Sequence, residues 1–142
     1  MSGEVLITEH DLLTGQVRHE LVKNMIIMSG RNLIRDRLFI QPPTGPGPLG
    51  FLGVGDNGTS TNPSQTGLLG EIGHCSMLTW DVATDFQVTI RFWIGSWANG
   101  RTLQEAGLCT RERIYYTRAV FSPKVKTAAN AFKFEWTVFF GV

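Results

Sequence analysis

Three glycines, Gly53, Gly55 and Gly58, stand at the G-x-G-x-x-G spacing inside the stretch GFLGVGDNGTSTNPSQTGLLGEI, Gly50 to Ile72. In dinucleotide-binding folds that spacing lets the backbone approach a pyrophosphate, because the last glycine opens a helix whose amino terminus meets the phosphates. Here the motif runs into TSTNPSQTG, Thr59 to Gly67, a polar run with a proline in its middle and no apolar period. No acidic residue follows at the end of a second parallel strand, and no Gly-Lys-Ser/Thr marks a P-loop. The stretch is therefore expected to be a long polar surface loop between two β elements, with Asp56 and Asn57 as turn formers. No nucleotide cofactor is expected.

The remaining chemistry-bearing residues form no constellation in the sequence. His10, His19 and His74 lack neighbours at metal-ligand spacing, so no metal is expected. His74 and Cys75 are adjacent, and on a strand adjacent side chains point to opposite faces, which separates them as a nucleophile pair. Cys75 and Cys109, the only cysteines, are expected to be free, reduced and structural. The acidic residues read as unpaired: Asp81 and Asp85 flank a turn, and Glu71 and Glu105 stand alone. Arg91, Trp93, Arg111, Arg113, Tyr115 and Tyr116 lie in neighbouring segments; they would suit either a nucleic-acid stacking face or a subunit interface. A net charge of +1 favours the interface, and neither nucleic acid nor a membrane is an expected partner. Asn57-Gly58-Thr59 is a glycosylation sequon, relevant only to a secreted chain.

Composition points the same way. Of the 142 residues, 42% are hydrophobic and 18% charged, below the roughly 25% charge typical of soluble domains. Four tryptophans and nine phenylalanines imply surface covered by something other than water. The segment MSGEVLITEHDLLTG lacks the basic-then-apolar pattern of a signal peptide, so assembly in a cytoplasm without export is expected.

The elements that must position these residues are mostly strands. The segment from Glu4 to Ile27 reads as one or two short strands around a turn at Thr14-Gly15. SGRNLIRDRLF, Ser29 to Phe39, is the one good helix: Leu33, Ile34 and Leu38 share a face, with Ser29 or Asn32 as the cap. QPPTGPGP, Gln41 to Pro48, holds four prolines and two glycines and excludes regular structure. After it the pattern is β. GFLGVG, HCSMLTWDV, DFQVTIRFWIG and RERIYYTRAVFS each read as a strand. In the third, Phe86, Val88, Ile90, Phe92 and Ile94 share the apolar face; in the closing NAFKFEWTVFFGV it is Phe132, Phe134, Trp136, Val138 and Phe140. Asn99-Gly100 and Ser122-Pro123 read as turns between strands.

The ordered set of segments resembles a family of small bacteriophage virion proteins. NMIIMSGRNLIRDRLF from Asn24 matches that family's N-x-I-x-x-x-G-x-x-x-I-x-x-x-L opening. LGVGDNGTSTNPSQTGLLGEI from Leu52, RTLQEAGLCT from Arg101 and TRAVFSPKVKTAANAFKFEWTVFF from Thr117 then follow in the family's order. The proline-rich insertion from Pro42 to Pro48 and the polar DNGTSTNPSQ depart from the pattern.

Residue pattern and resemblance together lead to one expectation. The chain is a single domain over 1–142, mainly β, an antiparallel β-sandwich of jelly-roll-like type with one short α-helix near the N-terminus. The resemblance implies a non-enzymatic virion building block, assembled in the host cytoplasm and most simply a capsid-decorating cement protein. Its expected partners are the major capsid protein or tail components, and further copies of itself, three being the favoured count. A tail, collar, fibre or baseplate component is the first alternative, and a glycan- or receptor-binding module the second. A hydrolase comes third and needs two carboxylates facing across a cleft. Contacts are expected from residues 1–15 as an amino-terminal arm and from the 41–48 loop with Pro42, Pro43, Pro46 and Pro48. Trp93, Trp97, Tyr115 and Phe139 are expected to join them, as apolar side chains on nominally wet strand faces.

Overall fold

The apolar alternation of the chain is resolved into two stacked antiparallel sheets in a computed structural model that describes residues 2–39, 49–84 and 87–139. The elements are β1 (Ser2–Asp11), β2 (Val17–Lys23), β3 (Met25–Ile26), α1 (Met28–Phe39), β4 (Phe51–Gly55), β5 (Glu71–Ser76), β6 (Thr79–Thr84), β7 (Gln87–Ile94), β8 (Thr102–Cys109), β9 (Thr117–Val125) and β10 (Asn130–Phe139), with a 3-10 turn at Ser96–Ala98. The first sheet has the order β2-β1-β10-β7-β6 and the second β3-β9-β8-β4-β5. This is an antiparallel β-sandwich with one short helix. Its strand order alone does not establish a jelly roll.

The core lies between the sheets. Val5 and Ile7 of β1, Phe92 and Ile94 of β7 and Phe132, Phe134 and Trp136 of β10 meet Leu52, Val54, Leu103, Leu108 and Phe121 of the second sheet. The apolar faces assigned to β7 and β10 are thus the inner faces, with Val88 half-buried at the margin. Phe86 and Phe140 lie outside the described residues.

Several local expectations change. Residues Ser2–Asp11 are not a free arm: β1 pairs with β2 on one side and β10 on the other, and its alternate residues enter the core. The β1–β2 turn does fall at Thr14-Gly15. Asp11 Oδ1 accepts from the N–H of Leu13 at 2.9 Å and of Thr14 at 3.1 Å, and Gly15 supplies the required positive φ of 74°. These two amide donors hold the Asp11 carboxyl below the ordinary carboxylate range.

HCSMLTWDV is not one strand. Met77 N–H donates to Gly50 O in the second sheet, whereas Leu78 N–H donates to Arg91 O in the first, so the chain changes sheets between those two residues. RERIYYTRAVFS starts as a tight turn, with Arg113 at φ 64°, and becomes strand only at Thr117. Ser122-Pro123 is not a turn but part of β9. There the register slips from Leu103↔Lys124 to Glu105↔Val120, a bulge that accommodates a residue without an N–H. Finally, Ser29 caps nothing. It sits in the first helical turn, and its hydroxyl donates to the carbonyls of Thr66 and Tyr115.

Candidate functional site

The glycine-rich stretch owes its composition to packing against the outer face of the second sheet. A Cβ at Gly53 would lie 1.8 Å from Tyr115 Oη, one at Gly55 2.3 Å from Glu105 Oε1, and one at Gly58 2.6 Å from Gln104 Oε1. Gly107, opposite Gly53 in the β4–β8 ladder, similarly makes room for the Tyr115 ring. The G-x-G-x-x-G spacing therefore fits side chains of this chain, not a phosphate.

Glu105 and Arg118 are the anchor of this face. Both side chains are fully buried, and Arg118 Nε lies 2.7 Å from Glu105 Oε2. Glu105 also accepts from the N–H of Leu69 at 3.0 Å and of Gly70 at 2.6 Å. Arg118 donates through Nη1 to Thr59 O at 2.8 Å and through Nη2 to Asn57 O at 3.1 Å. A buried ion pair is tolerable only when its remaining donors and acceptors are satisfied, and here the loop's backbone satisfies them. The polar segment from Asp56 to Gly70 is thus fastened to the sheet at both ends. Glu105, which the sequence shows as isolated, is fully buried and accepts from two amides and Arg118.

A second polar group lies alongside. Tyr115 Oη donates to Glu71, Arg113 Nη1 lies 3.3 Å from Glu71 Oε2, and Arg113 Nη2 donates to His74 Nδ1 at 2.7 Å. Burial and then the adjacent Glu71 push the Tyr115 hydroxyl well above its ordinary range. Burial raises the Cys75 thiol to about 11 and is the main cause that takes Cys109 to about 12. Both cysteines are free. Cys75 stands opposite Leu52 and Cys109 opposite Phe51, so the two thiols sit on opposite faces of the sheet. They remain thiols at neutral pH and are poor nucleophiles.

The outer face of the first sheet is a cross-strand ladder. Arg91 donates to Asp81 on β6 and to Glu135 on β10, and Lys133 lies 3.1 Å from Glu135. The hydrogen bond that Arg91 donates to Asp81 is the leading reason that it holds its proton more tightly than usual. Trp93 packs beside His10, with ring centroids 5.5 Å apart, and Lys133 Nζ sits 6.0 Å above its ring. The basic and aromatic residues grouped by the sequence are therefore divided: Arg91 and Trp93 lie on one sheet, Arg113 and Tyr115 against the other.

At one flank, β1, β2 and β9 enclose a cleft of about 540 Å³ lined by Glu9, Arg18, Glu20, Ser122 and Lys124 among others. Two carboxylates share it, but each is engaged. Asn130 Nδ2 donates to Glu9 at 3.3 Å, and Lys124 Nζ lies 2.7 Å from Glu20. Burial lifts the Glu20 carboxyl, but hydrogen bonds from Lys124 and Ser122 outweigh it and leave the carboxyl below its ordinary value. A general acid needs the opposite shift.

The surface candidates separate clearly. Trp93 and Trp97 are 40% and 44% exposed, and Phe139 is half-buried. Tyr115 was expected on a wet face but is 4% exposed, because it lies under the glycine loop with its hydroxyl on Glu71. Pro42, Pro43, Pro46 and Pro48 lie outside the described residues. Other apolar side chains are more exposed than any of these: Leu13 at the β1–β2 tip (83%), and Leu78, Trp80 and Val82 along β6 (62%, 57% and 57%). Sequence reasoning missed the last three, although their i, i+2, i+4 spacing in HCSMLTWDV was the available signal. A scan of protein-family models, a search of curated proteins and a search of solved structures each returned no match.

Proposed function

We propose that this chain is a structural component of a bacteriophage particle: a capsid-decorating protein that joins copies of itself and neighbouring virion proteins through apolar surface. The observation that carries the reading is large apolar side chains held out to solvent on a braced backbone. Leu13 projects from a turn fastened by Asp11, and Trp80 and Val82 from a strand hydrogen-bonded to β7. Apolar area of that kind favours association by about 25 cal/mol per Å² before the costs of binding are subtracted. The segments that resemble virion proteins also fit the reading. The helix start, the glycine loop, the EAGL strand and Arg118 interlock through Ser29, Glu105 and Arg118 as a scaffold.

Tail, collar, fibre and baseplate positions use the same chemistry and form the alternative. Re-addition of the purified chain to particles that lack it tests the proposal. Co-sedimentation with heads, together with a higher temperature of head rupture, is expected for a cement protein. Co-sedimentation with tails alone moves it to a tail position. No association with any particle would end the virion reading.

A further inference from the structure

We propose that β6 is a self-association edge, by which two copies of this chain pair their first sheets antiparallel across a two-fold axis. The inference rests on the reading of the apolar surface as an assembly contact, and it names the partner of one part of that surface.

Among the described residues the two sheets have four edge strands: β2, β6, β3 and β5. An open edge presents unpaired backbone groups, and natural sheets guard such edges with charges, shortness or covering groups. Three of the four are guarded. β2 carries Arg18, His19, Glu20 and Lys23, and β3 is two residues long. Across β5, Arg113 reaches both Glu71 and His74, while Trp97 closes over Gly73. β6 differs. Among the described residues it pairs only with β7, and its single charge, Asp81, is turned onto Arg91 on the outer face.

The inner face of β6 continues the core and then stops. Trp80 pairs with the buried Ile90 and Val82 with Val88, so both belong to the core-facing side, yet each is 57% exposed. Leu78, in phase with them, is 62% exposed; beside them Met77, where the chain crosses between sheets, and Trp97, against Gly73 and Gly95, are 40% and 44% exposed. These five side chains expose on the order of 500 Å² per copy. Two copies therefore approach the ~1,000 Å² that a specific interface needs, before any backbone contribution. An antiparallel pair of identical edges is self-complementary, since each strand offers its partner the same donors, acceptors and apolar face. With the axis at Trp80, the two indoles meet and each Asp81 faces Thr79 of the second copy rather than another carboxylate. Leu78 then faces Val82 of the second copy. A contact of this kind joins copies in twos; a three-fold count would need a different surface.

The test is sedimentation equilibrium of the full chain, wild type beside Trp80→Glu, Val82→Lys and Leu21→Asp, with far-ultraviolet circular dichroism as the check on folding. The wild type is expected at twice its 15.8 kDa mass. Trp80→Glu and Val82→Lys are each expected to keep the wild-type spectrum and weaken self-association by about 30-fold or more. Leu21→Asp, 60% exposed on β2 at the opposite edge of the same sheet, leaves the dimer intact. Should Trp80→Glu misfold, Val82→Lys carries the test alone, because its side chain sits at the open edge. A monomeric wild type at about 100 μM, a trimer, or a dimer indifferent to both β6 substitutions overturns the proposal. A monomer that nonetheless decorates particles would overturn it while leaving the virion reading standing.

Discussion

Gly53 shows how much of the loop's composition is steric. A methyl group there meets Tyr115 Oη at 1.8 Å and Cζ at 2.7 Å, and the ring cannot swing away because it is buried. Gly53→Ala is therefore expected to cost about 1–3 kcal/mol of stability by overpacking. Tyr115→Phe removes the closest atom but also the hydrogen bond to Glu71, so it destabilises alone. Combined with Gly53→Ala, the two losses should be less than additive in urea denaturation. Strict additivity would show that the glycine does not serve the tyrosine. Glu20 makes a pH prediction at the same scale. Its folded carboxyl titrates below the ordinary 4.5, so its stabilising contribution is present above that value. It is lost as pH falls through the lower folded value. Wild type and Glu20→Gln should differ in melting temperature at pH 6 and converge in the acid limb. A gap that stays constant with pH would contradict the assignment.

Elements came out of the sequence where one partner face decides them, and failed where long-range partners do. The inner faces of β7 and β10 follow directly from period-two alternation, because each strand has one face on the core. The split between β5 and β6 was not legible. Both halves are equally apolar, and only the carbonyls of Gly50 and Arg91, distant in sequence, decide where the chain changes sheets. The turn before β9 was hidden because Arg113, not glycine, takes the positive φ. Glu105 and Arg118 look like solvated charges in a linear reading; the loop that buries them lies about 35 to 60 residues away in sequence. Arg118→Met tests that loop as an element. It leaves Glu105 buried without its cation, a loss of about 3–5 kcal/mol. It also frees the carbonyls of Asn57 and Thr59, so amide hydrogen exchange at Thr59, Ser64 and Gln65 should accelerate more than in β7 or β10. Uniform acceleration across the molecule would mean that the ion pair does not hold the loop in particular.

For the whole molecule, the sandwich separates two tasks. Its interior and the clamped loop provide rigidity, through alternating apolar faces and a satisfied buried ion pair. Its periphery holds out apolar side chains at the β1–β2 tip, around Trp93 and along the flank of β6 and Trp97. A scaffold of that kind suits repeated contacts made without rearrangement, which is what the proposed particle-stabilising role requires. The low charge pointed to covered surface, but only the fold showed which apolar residues remain outside: Trp80 rather than Tyr115. Low-dose electron imaging of particles with and without this protein tests the central claim most directly. The account predicts regular density on the capsid lattice that disappears from the deficient particles, with heads that rupture at lower temperature. Particles identical at head, neck and tail in both preparations would contradict it.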